Sequence, residues 1–176
     1  MNIQISKHFI TGNPIGNLLR KRHSLILVED QEGKYLFGEK ANFYPKGIVR
    51  LIGGGLDESE DSEIGAMREL AEETGLQLGA GQLKEVAQIP ISATTTQGEK
   101  NITVYLYYYK LQKGENLIFA DDISNICALS REEFKNLIIR FEELNGIHEL
   151  GKDTFDWKDY GQIYSYIHQI AYEFIV

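Results

Sequence analysis

The stretch that decides the fold is Gly54-Gly55-Leu56-Asp57-Glu58-Ser59-Glu60-Asp61-Ser62-Glu63-Ile64-Gly65-Ala66-Met67-Arg68-Glu69-Leu70-Ala71-Glu72-Glu73-Thr74-Gly75-Leu76. From Ser62 to Thr74 its pattern is helical. Ser62 is positioned to cap the helix, Glu63 sits in the first turn where the helix dipole favours an anion, and Gly75 supplies the stop. At 3.6 residues per turn Glu69, Glu72 and Glu73 fall at i, i+3 and i+4, so they share one face. Ile64, Met67, Leu70 and Ala71 lie toward the other side and are expected to pack on a sheet.

That acidic face needs a physical reason. Like charges at this spacing cost about 0.2 to 0.5 kcal/mol per pair on an exposed helix, and Glu60 and Glu63 add to the field. Arg68 is the one nearby residue of opposite sign, four positions before Glu72. Gly65 inside the helix costs about 1 kcal/mol relative to alanine. A solvated acidic surface and an ordinary glycine turn would explain each feature separately. A bound cation explains them together: Mg²⁺ takes oxygen ligands and is held by a few carboxylates plus substrate phosphates, and the side chain missing at Gly65 leaves room for it.

Upstream, Ser24-Leu25-Ile26-Leu27-Val28 reads as a central strand. Asp30-Gln31-Glu32-Gly33 is a turn, and Lys34 to Phe37 returns as the second arm of a hairpin. Gly47 to Ile52 reads as a short strand ending at Gly53-Gly54-Gly55. Asn13-Pro14-Ile15-Gly16-Asn17 reads as a turn, and Arg20-Lys21-Arg22-His23 is the only basic cluster. Downstream, Leu83 to Ser92 is extended and Thr94 to Asn101 is a polar loop. From Ile102 to Tyr109 apolar residues and tyrosines alternate with the period of a strand. Asn125 to Leu129 is a further buried strand carrying Cys127 as a core thiol. Ser130 and Glu133 form a capping box that opens a helix to about Leu144, with Phe134, Leu137, Ile138 and Phe141 on one face. A last helix runs from about Lys158 to Ile175, its tyrosine-rich stripe reading as core or as a homodimer interface. The segment from Leu144 to Asp153 is the one plausible linker and is expected to join two helices of a single domain, 1–176. This order of elements suggests an α/β fold, a sheet covered on both faces by helices.

With 176 residues, 43% hydrophobic and 25% charged, three prolines and no low-complexity run, the chain can build a core and needs no long linker. A net charge of -8 argues against nucleic acid or an anionic membrane as a partner by bulk attraction. One cysteine excludes an intrachain disulfide. No stretch reaches the roughly 18 apolar residues of a membrane helix, and Met1 to Ile10 has no long apolar run, so a cytoplasmic protein is expected.

The 23-residue stretch resembles the signature of the Nudix hydrolase family (MutT-like), in which a glycine is followed at set intervals by a glutamate, Arg-Glu, an aliphatic residue, Glu-Glu, a glycine and an aliphatic residue. Gly54, Glu60, Arg68, Glu69, Leu70, Glu72, Glu73, Gly75 and Leu76 fill every fixed position. Ile52 stands where many members carry proline, and the box itself is complete. The resemblance implies a Nudix-type α/β/α sandwich with a mixed β-sheet. It also implies hydrolysis of a phosphoanhydride bond, with Mg²⁺ as cofactor and Mn²⁺ as a substitute. The substrate would be a nucleoside diphosphate linked to another group, either a nucleotide sugar or ADP-ribose-like compound, or a nucleoside triphosphate. By similarity Glu69, Glu72 and Glu73 are metal ligands, and Glu60 assists through a water or a second metal. Arg68 orients a ligand, and Gly53, Gly54 and Gly55 let the backbone approach metal and phosphate. The general base is Glu72 or Glu73, or else Asp121 or Asp122, which also read as a turn. Lys46, Arg50 and the Arg20 to Arg22 cluster are candidates for phosphate contacts, and Tyr44, Tyr105, Tyr107 or Tyr109 for stacking on a base. Pro90 lies near the place where ADP-ribose-cleaving members carry a proline. Neither a coenzyme A signature nor an NADH-type signature is present. The alternative is a non-catalytic nucleotide-binding regulator on the same fold.

Overall fold

The structure, a computed structural model, describes residues 7–10, 20–95, 98–150 and 153–175. The turn expected at Asn13–Asn17 lies outside the described residues. The elements are β1 (Lys7–Ile10), β2 (Arg22–Glu29), β3 (Tyr35–Glu39), β4 (Ile52–Gly55), α1 (Ser62–Thr74), β5 (Lys84–Thr95), β6 (Gly98–Lys110), β7 (Asn125–Leu129), α2 (Arg131–Glu142), β8 (Ile147–Leu150), β9 (Asp153–Asp156) and α3 (Trp157–Phe174). Seven strands form one mixed sheet in the order β1-β5-β6-β2-β3-β7, with β4 pairing β2 off that path. β2 runs parallel to β6 and antiparallel to β3 and β4, and β5 runs antiparallel to β6 and parallel to β1.

The period of two in β2 divides the interior. Leu25 and Leu27 face a large core with α2 and α3, while Ile26 and Val28 face a smaller one with Ala66 and Leu70 of α1. Ile102, Val104 and Leu106 join the first core, Tyr107 and Tyr109 the second. Helices therefore cover both faces of the sheet, the α/β/α sandwich expected. α2 has both halves of its capping box, and Phe134, Leu137, Ile138 and Phe141 are its buried residues.

Several expectations are corrected. The strand expected over Gly47–Ile52 begins instead at Ile52, and the glycines themselves are its body: Gly53, Gly54 and Gly55 pair with Leu25, Ser24 and His23. Of the earlier residues, Arg50 makes only a bridge to Gly38. The polar run Thr94–Asn101 is mostly strand, because β5 and β6 continue pairing to Thr95 and Gly98. Polarity there reflects the exposed end of a hairpin. The supposed linker contains the β8–β9 hairpin. Cys127 is half-buried on the edge strand β7, packed against the margin of the large core and not enclosed in it. Burial nonetheless pushes its thiol pKa up, which leaves it poorly reactive.

Candidate active site

The site is assembled where the glycine strand meets α1. The N-cap of α1 is Asp61, whose carboxylate accepts from the Glu63 and Ile64 amides. Ser62, expected as the cap, instead shares a hydrogen bond with the Tyr107 hydroxyl and accepts at its carbonyl from Ser24. Gly75 closes the helix in the left-handed conformation, φ 71°. The buried residues are Gly65, Ala66, Leu70, Glu73 and Thr74, whereas Ile64 is 57% exposed. The inward face is thus centred between Leu70 and Glu73, rotated from the stripe expected through Ile64 and Ala71. The rotation carries Glu73 under the sheet and leaves Glu72 at the rim.

Gly65 has a different use from the one expected. A Cβ there would lie 2.1 Å from Leu56 Cδ2 and 3.1 Å from the Glu60 carboxylate, so the space is filled by the preceding loop and is not open to an ion.

Arg68 organises the carboxylates. Its Nε and Nη2 donate to Glu60 at 2.8 and 3.1 Å, and its Nη1 donates to Glu69 at 2.9 Å and Glu72 at 3.0 Å. Glu60 also accepts from the Asp57 amide, and Arg68 holds its pKa below the usual range. Glu69 packs against the glycine strand. Glu73 accepts from the Gly53 amide at 2.9 Å and lies 3.5 Å from Lys40 Nζ, and Lys40 also pairs with Asp122. Burial is the largest influence on Glu69 and Glu73 and raises both pKa values, although Arg68 and Arg50 respectively oppose it.

Glu69 and Glu73 open onto a polar cleft of about 180 Å³ floored by Gly53, Gly54 and Gly55. Asp121 and Asp122 reach it from the loop before β7, and Arg20, Lys40 and Arg50 from other segments. Asp121 has φ 53°, so the pair makes the expected tight turn and also faces the cleft. Arg50 is buried rather than a solvated surface charge, donating to the Gly53 carbonyl at 2.7 Å and the Tyr164 hydroxyl at 3.0 Å. His23 lines the cleft too, but burial, with Arg50 nearby, lowers its pKa to about 4. It is therefore a neutral ring and not part of a basic cluster. Lys46 is exposed and Tyr44 is buried, and neither lines this cleft. Glu60 and Glu72 stand outside it on Arg68. Pro90 lies within β5 opposite Thr103, inside the stretch expected to be extended. Sequence reasoning missed Lys40, for which a single lysine after a strand offers no signal.

The donors suit a hard cation in chemistry: all are carboxylate oxygens, and half-buried Glu69 and buried Glu73 have too little positive charge to offset their desolvation. As the side chains stand, they turn to Arg68 and Lys40, and among the described residues no group of three acidic, histidine or cysteine side chains converges as a metal site. Binding an ion requires Glu69 and Glu72 to exchange Arg68 for it. Among the described residues no helix is long and apolar enough to cross a membrane.

Comparison with solved structures finds this fold repeatedly. The NUDIX domain of Shewanella oneidensis NrtR complexed with ADP ribose is 15% identical with TM-score 0.56, covering 89% of each chain. A C. elegans Ap4A hydrolase binary complex is 14% identical with TM-score 0.53, covering 88% of this chain and 96% of that one. The E. coli dihydroneopterin triphosphate pyrophosphohydrolase is 16% identical with TM-score 0.52, covering 68% and 85%. At these identities the likeness is one of fold. No curated protein sequence matches the chain. The sequence profile of the NUDIX domain matches residues 19–164. With that match spanning most of the chain, and with every fixed position of the box present, this chain belongs to the NUDIX domain family.

Proposed function

We propose that the chain is a Mg²⁺-dependent pyrophosphohydrolase that cleaves a phosphoanhydride bond in a nucleoside diphosphate linked to another group, or in a nucleoside triphosphate. The observation that carries this reading is the charge balance of the cleft. Four carboxylates, Glu69, Glu73, Asp121 and Asp122, face three cations, Arg20, Lys40 and Arg50, with His23 neutral. Such a cleft repels a diphosphate by itself and accepts one once a divalent cation adds its charge. A bound divalent cation supplies Lewis-acid neutralisation of phosphate oxygens and a lowered water pKa.

The chain's own residues provide the rest. Glu69, Glu72 and Glu73 would hold the ion, with Arg68 kept beside the site by Glu60 once Glu69 and Glu72 have turned from it to the ion. Arg20 and Lys40 would meet phosphate oxygens, and Arg50 would fix the Gly53 peptide against Glu73. Lys46 has no place in this arrangement. Among the candidate proton acceptors Glu72 points out to Arg68, and Glu73 and Asp122 are both held by Lys40, which favours Asp121. We read residues 1–176 as one domain, because α3 packs in the same core as β2 and β6. A cytoplasmic location and a possible homodimer belong to the same reading.

The test is a screen of purified protein with Mg²⁺, Mn²⁺ or EDTA against nucleoside triphosphates, nucleotide sugars, ADP-ribose and dinucleoside polyphosphates, reading released phosphate species. Turnover abolished by EDTA and nearly lost in Glu72→Gln and Glu73→Gln supports the proposal. Wild-type rates in either variant would falsify the ligand assignment. Tight nucleotide binding without product under every metal would favour the regulator reading.

A further inference from the structure

The polar cleft is too small for the substrate just proposed. At about 180 Å³ it falls below the roughly 300 to 1,000 Å³ of small-molecule sites. A second cavity of about 460 Å³ adjoins it and shares Lys40, Asp121 and Asp122 with it. We propose that this second cavity is the nucleoside subsite, with the base against Phe43 and Tyr44 and the phosphate chain crossing over Lys40 into the glycine-floored cleft. The inference rests on reading the cleft as the diphosphate site.

The walls differ in the way such a substrate requires. The cleft is lined almost wholly by charged groups and glycine backbone. The neighbouring cavity is lined by Phe43, Tyr44 and Ile123 together with Asn42 and Ser124. Phe43 is half-buried and held edge-on by Tyr44, with ring centroids 5.2 Å apart, and by Trp157, at 5.9 Å. An aromatic wall fixed in this way offers a surface to a planar ring at little cost in side-chain freedom. Asn42 is exposed, and among the described residues its amide makes no hydrogen bond with the protein, so its donor and acceptor are both available to a base edge. The Ser124 hydroxyl is spent on the Glu39 carbonyl and the Ala41 amide, which brace the loop from Lys40 to Tyr44. The Lys40–Asp122 pair stands at the boundary of the two cavities. A chain of phosphates laid across that boundary meets Lys40 and takes the place of Asp122 as its partner.

Titrating ¹⁵N-labelled protein in Mg²⁺ with inorganic pyrophosphate, ADP and ribose 5-phosphate tests the assignment. Pyrophosphate should shift the amides of Gly53 to Gly55 only, whereas ADP should also shift Ala41 to Tyr44, Ile123 and Ser124. Ala41 is exposed at the cavity rim, so Ala41→Trp should fill the space without disturbing the core. It should weaken ADP at least tenfold and leave pyrophosphate unchanged, and Asn42→Ala should weaken ADP to a smaller extent. ADP shifts confined to the pyrophosphate set, absent altogether, or reproduced by ribose 5-phosphate alone overturn the subsite, as does an Ala41→Trp variant that binds ADP like wild type. These are binding measurements. A protein that shows the expected shifts but hydrolyses nothing in the screen keeps the subsite and loses the proposed catalysis.

Discussion

Replacing Gly54 by alanine should damage the cleft while leaving the fold almost intact. Gly54 is not among the glycines with positive φ, so its backbone accepts a side chain. A Cβ there would stand 2.5 Å from Glu69 Oε2 and 2.9 Å from its carboxyl carbon, and the nearest atoms it meets are all of that one carboxylate. The flexible end of Glu69 can retreat, and reaching ordinary contact takes it back by roughly an ångström. Gly→Ala at a compatible position stabilises by about 0.4 to 1 kcal/mol through the unfolded chain. Weakening the partly exposed Glu69–Arg68 contact costs about as much. The net change should lie within about 1 kcal/mol, a Tm shift of a few degrees. A ligand misplaced by about 1 Å, in contrast, costs on the order of 100-fold in rate. Gly53→Ala is the contrasting variant. Its φ is 123° and its Cβ would lie 2.2 Å from the Ser24 carbonyl oxygen, which is backbone and cannot retreat, so it should cost about 3 kcal/mol or more. Urea midpoints and kcat on the best substrate from the screen measure both variants. Wild-type turnover in Gly54→Ala, or unfolding as severe as that of Gly53→Ala, refutes the reasoning.

Further outcomes follow from the same contacts. Gly65→Ala should gain helix propensity yet lose about 1 to 3 kcal/mol overall, because its Cβ meets the buried Leu56 at 2.1 Å; a higher urea midpoint than wild type would show that Leu56 relaxes freely. Buried His168 donates from Nδ1 to the Tyr164 carbonyl and accepts at Nε2 from the Leu51 amide, and burial lowers its pKa to about 3. The unfolded chain takes up that proton below the ordinary 6.5 while the folded chain does not. Stability should therefore fall as pH drops from 6.5 toward 3, by up to about 1.4 kcal/mol per pH unit. His23, lowered to about 4, acts in the same direction, and Glu69 and Glu73, raised, oppose it in the range just above 4.5. Urea midpoints at pH 7 and pH 5 should show the loss, and His168→Gln should reduce it; an equal loss in that variant contradicts the assignment. Arg50→Met removes a buried cation and leaves the Gly53 carbonyl and Tyr164 hydroxyl without their donor. It should cost about 3 kcal/mol or more by thermal melting, and a change under 1 kcal/mol would refute the clamp.

The parts of the site legible in the sequence are those set by local spacing. The bounds of α1, the Gly75 stop, the capping box of α2 and the alternation in β6 all follow from residues a few positions apart. The contacts that lay beyond reach join distant segments. Arg68 pairs with Glu72 by helical spacing, but its bonds to Glu60 depend on how the loop before α1 folds back over Gly65. Lys40, His23 and the Asp121–Asp122 turn reach the cleft only through the order of strands in the sheet. Gly47 to Ile52 suggested a strand in the wrong place because β4 is built from glycine backbone and has almost no side-chain signal. The inward turn of Glu73 was hidden for a related reason: a charged residue on a helix reads as solvated unless the amide and the lysine that hold it are known.

Mn²⁺ binding followed by electron paramagnetic resonance reaches the central claim without needing a substrate. The account predicts a site of defined stoichiometry in the wild-type chain that Mg²⁺ competes for, and its disappearance in the triple variant Glu69→Gln, Glu72→Gln, Glu73→Gln. Equal Mn²⁺ uptake by a folded triple variant would mean that the glutamates of α1 do not hold the ion.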